Sequence, residues 1–116
     1  MKPFEAGDVV LAPFLCSEET GTKRRPALVL SSGAYHTGRQ ETIIAAITSN
    51  VDSVLVGDHV IADWRGAGLR FPSKVAAGLR TIKQQMVERK LGALSHQDFE
   101  TFRRGMDQWL ARSARG

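Results

Sequence analysis

The chain has 116 residues, 16 lysines and arginines against 12 aspartates and glutamates, and a single cysteine, Cys16. That length suits one domain over 1–116 that buries about two thirds of its unfolded surface, and a lone cysteine excludes an intrachain disulfide and fits a reducing compartment. No apolar run approaches the roughly 18 residues of a membrane span and the opening MKPFEAGDVV lacks a signal-peptide core, so a soluble cytoplasmic protein with no membrane partner is expected.

In chain order, GDVVLAPF reads as a short strand that Pro13 ends, because proline donates no ladder hydrogen bond. LCSEETGTKRR has neither a 3.6 nor a 2 period, which predicts a mobile loop over about residues 15–24. PALVLSS and ETIIAAITS are aliphatic and β-branched and predict two strands buried on both faces, linked by a glycine-marked connection, GAYHTGRQ. DHVIADW alternates and predicts a further strand, after which RGAGLRFPSK breaks the pattern. VAAGLRTIKQQMVERKL alternates weakly, as a strand or a poor helix, and a strand over 79–89 is the preferred reading. Ser95 is placed to cap a helix with Asp98 three residues on, and Leu94 and Phe99 stand at staple positions. Phe99, Phe102, Met106, Trp109 and Leu110 then recur at helical spacing, predicting a packed helix over 96–112. Several short strands followed by one helix indicate a mainly β (α+β) domain, a small barrel or sandwich with a C-terminal helix laid on it.

The net charge of +4 is unevenly distributed. Residues 1–22 carry one cation and four anions, whereas residues 65–90 carry seven cations and only Glu88. Such polarity makes a polyanionic partner a modest favourite.

The densest positive charge is Lys23, Arg24 and Arg25, set directly against Pro26. Taken alone, the run reads as a solvated loop guarding a strand end. A sharper reading follows from Pro26, which holds Arg25 extended beside a buried strand and so makes its guanidinium a fixed two-pronged donor for phosphate oxygens. Thr48 and Ser49 end the run TIIAAITS, where a hydroxyl has a fixed position and either donates or accepts. The plain alternative for Thr48 is a strand-end hydroxyl bonded to its own backbone. His96 is expected on the surface of the helix, while His36 and His59 are candidates for a cleft or for plain exposure. Tyr35, Phe14, Phe71 and Trp64 are candidates for stacking on unpaired bases, with core packing the favoured role of Trp64. Cys16 has no histidine near it in sequence and reads as incidental.

GDVVLAPF, RRPALVLS, TIIAAITSN and RTIKQ, in that order and spacing, resemble the MazF/PemK family of bacterial toxin ribonucleases, and DHVIADWRGAGLRFPSKV looks like a segment of one branch of it. The resemblance runs from about Gly7 into the C-terminal helix. It implies an SH3-like, PemK/MazF-type barrel that forms a homodimer, cuts single-stranded RNA without a metal or other cofactor, and is silenced by a cognate acidic antitoxin. It also implies Arg25 and Thr48 as the catalytic pair. Around them, Lys23, Arg24, Ser17, Ser49, Arg80 and Lys83 are the expected RNA-binding residues. The sequence departs from the family at Glu18 and Glu19, which repel phosphate from the first loop, and at Lys83, where many relatives carry an aspartate after RTI. These departures keep an inactive relative open. Two other readings are a barrel that grips RNA or protein without cutting, and a CcdB-like gyrase poison, against which the basic end WLARSARG argues.

Overall fold

The computed structural model describes residues 4–15 and 22–111. Strands β1 (Asp8–Leu15), β2 (Thr22–Val29), β3 (Glu41–Thr48), β4 (His59–Val60), β5 (Lys74–Lys83) and β6 (Arg89–Ala93) join helices α1 (Gly33–Arg39) and α2 (His96–Trp109). All neighbouring strands run antiparallel in one six-stranded sheet of order β4-β5-β3-β2-β1-β6, curled into a half-barrel. The mainly β architecture with a C-terminal helix is the expected one.

Both faces of the central strands are covered, as the unbroken apolarity of β2 and β3 predicts. On one face Val9, Leu28, Ala45, Ile47 and Val75 pack against Phe102, with Phe99, Met106 and Trp109 of α2 alongside. On the other, Val10, Ala12, Phe14, Ala27, Val29 and Ile44 pack with Val87 and Phe4. Ser95 caps α2 through a hydrogen bond from the Asp98 amide to its hydroxyl, 3.1 Å. The helix stops at Trp109, short of the expected 112, and leaves Leu110 as an exposed C-cap outside the apolar stripe.

Several boundaries differ from the sequence reading. Pro13 does not end β1; it pairs with Arg24. β6 pairs with β1 only as far as Leu11, so Pro13 lies where β1 has a single neighbour, and Pro26 likewise precedes the first β2–β3 pair at Ala27. A sheet tolerates proline at such open positions. Hence β2 begins at Thr22, and Lys23, Arg24 and Arg25 lie in the strand instead of a loop. GAYHTGRQ contains α1, capped by Ser32 and closed by Gln40 at φ +55; a seven-residue helix with two glycines leaves little periodicity to read. The strand expected over DHVIADW is reduced to His59–Val60, because the Ala62 and Asp63 amides donate to the Asp98 carboxylate, 2.9 and 3.0 Å, instead of to a ladder. The strand preferred over 79–89 begins earlier, at Lys74, and a 3-10 turn at Gln84–Met86 separates it from β6.

Candidate active site

A cleft of about 590 Å3 opens where β1, β2, β3 and β6 meet the turn after β4. Leu11 of β1 and Pro26 of β2, paired across the ladder, line it together with Ile47. Arg25, Thr48 and Ser49 stand on one side, Arg89–Leu91 of β6 on another, and Gly68–Phe71 complete the wall. The β2–β3 register runs Val29 to Ile44, Leu28 to Ala45 and Ala27 to Ala46. That pairing ends at Ala27 and Ala46, and beyond it Arg25 of β2 and Thr48 at the end of β3 both line the cleft.

The electrostatics are one-sided. Arg25, Arg70, Arg89 and Lys90 line the cleft, and among the described residues its lining holds no carboxylate. Among the described residues, Lys90 alone of the four has an ion pair, to Asp8 at 3.2 Å. Arg24, by contrast, donates its Nε–H to Glu88 at 2.9 Å. Lys74, opposite Thr48 in the β3–β5 register, is buried and spent internally: its ammonium donates to Asp58 at 2.6 Å and to the Ser53 carbonyl. Burial pushes the Asp58 carboxyl up, but the Lys74 ammonium and the Leu55 and Ala77 amides outweigh it and hold the group below the usual carboxylate range. The Thr48 hydroxyl accepts the Asn50 amide at 3.1 Å, the backbone bond expected of a strand end. That bond uses one lone pair and leaves the hydroxyl hydrogen available as a donor.

Arg25, Thr48 and Ser49 therefore line one cleft. Lys23, Arg24, Arg80 and Lys83 do not line this cleft. Lys23 pairs with Phe14 across the β1–β2 ladder, and the Arg80 guanidinium lies 5.4 Å from the Phe14 ring, so these two cations gather on a neighbouring strip of the sheet. Lys83 sits opposite Glu41 at the far end of β5. Ser17, Glu18, Glu19 and Cys16 lie outside the described residues.

No histidine lines the cleft. His36 is buried: its Nδ1 donates to the Phe4 carbonyl at 3.1 Å, and its Nε2 lies 2.6 Å from the Ser31 hydroxyl, which accepts the Ile43 amide. His59 Nε2 is 2.8 Å from Asp98, and His96 is exposed at the start of α2, as expected. Of the stacking candidates, Trp64 packs on the core, as favoured, with Arg65 4.7 Å from its ring, and Phe14 is buried. Tyr35 is partly buried under Arg39. Phe71 lines the cleft and is 63% exposed. The sequence reading missed Arg70, Arg89 and Lys90 as site residues. The only trace of them was the cationic surplus over 65–90, which does not say which of its members converge.

Residues 5–110 match the family described as PemK-like, MazF-like toxin of type II toxin-antitoxin system. No curated protein matches the chain in sequence. Among solved structures, a chain of the MazE-MazF complex (Form-III) from Deinococcus radiodurans is 21% identical with a TM-score of 0.77, over 97% of this chain and all of that one. The Mycobacterium tuberculosis toxin MazF-mt6 is 20% identical with a TM-score of 0.72, over 89% and 95%. An endoribonuclease in complex with its cognate antitoxin from a mycobacterial species is 14% identical with a TM-score of 0.70, over 95% of each chain.

Proposed function

The chain belongs to the PemK-like, MazF-like toxin family of type II toxin-antitoxin systems, whose members are endoribonucleases, and on that premise we propose that it cuts single-stranded RNA at the cleft between β2, β3 and β6. The observation that supports the reading is that Arg25 and Thr48 line the same cleft, together with Arg70, Arg89 and Lys90.

The chemistry uses the ribose 2′-OH as an internal nucleophile. The 2′-oxygen forms a bond to phosphorus as the P–O5′ bond breaks, the 2′-OH proton leaves, and the departing 5′-oxygen gains one, giving a 2′,3′-cyclic phosphate and a 5′-OH. DNA lacks the attacking group, and an A-form duplex resists the in-line arrangement that an unpaired strand adopts. Arg25 neutralises the charge that builds on the non-bridging oxygens through its forked donors. Thr48, its oxygen held by the Asn50 amide, donates to the phosphate and orients it. Ser49 adds a second hydroxyl, while Lys23, Arg24, Arg80 and Lys83 attract the strand from outside the cleft. Ser17, outside the described residues, is a further RNA contact in this reading. The active form is a homodimer in the cytoplasm, and a cognate antitoxin with an acidic segment silences it by covering the basic cleft.

The test incubates the purified protein with a long single-stranded RNA in chelator and maps the new ends. The expected products carry 5′-OH and 2′,3′-cyclic phosphate termini, and a 2′-deoxy residue at the cut site abolishes cleavage there. Cutting that survives the deoxy substitution overturns the 2′-OH mechanism. Arg25→Ala should lower the rate by roughly 100-fold to 1000-fold, the scale for losing one preorganised donor, and a folded Arg25→Ala protein that still cuts at full rate removes the assignment.

A further inference from the structure

We propose that Phe71 is a base-stacking platform that holds one unpaired nucleobase beside the phosphate gripped by Arg25 and Thr48. The proposal rests on the nuclease reading above.

Phe71 is 63% exposed and joins neither core cluster. Its ring is nonetheless not on a loose backbone. Pro72 follows it and restricts it to extended geometry. The Ser73 hydroxyl, nearly buried, donates to the Phe71 carbonyl at 2.7 Å, and the Ser73 carbonyl accepts the Ile61 amide at 2.9 Å. Upstream, Gly68 at φ +82 lies so close to β6 that a Cβ there would stand 2.2 Å from the Leu91 carbonyl oxygen. The segment is thus pinned on both sides of the ring.

The surroundings select the ligand. Arg70 is adjacent in sequence, and Arg25, Arg89 and Lys90 line the same cleft. A rigid aromatic face set among cations, with no carboxylate among the described lining residues, matches a strand of phosphates that carries flat π-systems at regular intervals. Stacking tolerates any base, because each has a π-face, so this contact holds and orients the strand without dictating sequence.

The probe is a short single-stranded RNA containing the mapped cut site, made uncleavable by 2′-deoxy substitution there, with binding followed by anisotropy. Phe71→Ala should weaken binding by about 5-fold to 100-fold. Phe71→Tyr, which keeps the π-face, should bind within about twofold of the parent. Phe71→Leu keeps the apolar bulk and loses the ring, so it should fall with Phe71→Ala. Removing the stacked base, by an abasic residue scanned along the probe, should weaken the parent protein at one position and the Phe71→Ala protein no further. A Phe71→Leu protein that binds like the parent, or an abasic penalty equal in both proteins, overturns the proposal while leaving the nuclease reading intact. Unchanged RNA binding with a weakened homodimer or weakened capture of an acidic antitoxin peptide assigns the ring to a protein contact and also overturns it. A parent protein that neither binds nor cuts RNA sinks the nuclease reading and the platform together.

Discussion

Arg25 and Thr48 illustrate how a residue's neighbours fix its chemistry. Arg25 is exposed on a strand, yet its backbone is constrained by Pro26 after it and by pairing with Ala12 across β1, so its guanidinium starts from a fixed root. Thr48 spends one lone pair on the Asn50 amide. Replacing it by valine removes the donor while keeping the β-branched shape, and the rate should fall at least about 10-fold, whereas Thr48→Ser should retain most activity. Single-turnover cleavage of one RNA checks both; a Thr48→Val protein as fast as the parent would remove the hydroxyl from the chemistry. Arg25 and Thr48, the proposed pair, could be singled out from their motifs. The partners of Asp98 were not, since a carboxylate in a helix capping position shows nothing in sequence of the distant amides it accepts.

The turn that carries Arg70 and Phe71 depends on that carboxylate at the level of elements. Asp98 of α2 accepts the Ala62 and Asp63 amides, contacts His59 and receives the Ser95 hydroxyl at 3.1 Å, tying β4, the turn and the helix together. Asp98→Ala leaves these donors unanswered and should destabilise the protein by about 2–4 kcal/mol, read as a lower Tm. Burial pushes the Asp98 carboxyl up, but the Ala62 and Asp63 amides, His59 and Ser95 together hold it below its ordinary value. Because the folded pKa is depressed, this stabilisation is present above the unfolded value of about 3.9 and is lost as the pH falls through the folded one. Asp98→Asn should therefore be less stable than the parent at pH 7, with the gap between the two narrowing only as the pH falls below the unfolded value; a gap that stays constant through acid unfolding would contradict it. Gly68 holds the other side of the same turn. Gly68→Ala meets both a left-handed φ and the Leu91 carbonyl, and should cost at least about 2 kcal/mol, with chemical denaturation as the measure.

Strand order makes the site at the scale of the whole molecule. β6 follows β5 in the chain but lies at the opposite edge of the sheet, beside β1. That placement sets Arg89 opposite Leu11 and Lys90 opposite Val10 on β1, the strand whose other neighbour, β2, carries Arg25. Four cations in one cleft should make RNA binding strongly salt-dependent. With about 0.7 counterions released per phosphate neutralised on a single strand, log Kd should rise with log salt at a slope of about 2 to 3, and Arg89→Gln should lower it by about 0.7. A slope near zero for the parent would mean that the cleft does not hold the backbone of the strand.

The sequence by itself determined the central strands, the capped helix and the basic polarity, and its motifs singled out Arg25 and Thr48, which line one cleft, because each rests on local periodicity, a cap, a charge count or a motif contiguous in the chain. The tertiary structure alone decided that Pro13 sits inside a strand, that His36 and His59 serve the scaffold, and that Arg70, Phe71, Arg89 and Lys90 line the same cleft as Arg25. Those outcomes depend on which strands become neighbours and which buried carboxylate claims which amides, and such pairings form between residues tens of positions apart that leave no mark on the local pattern of either.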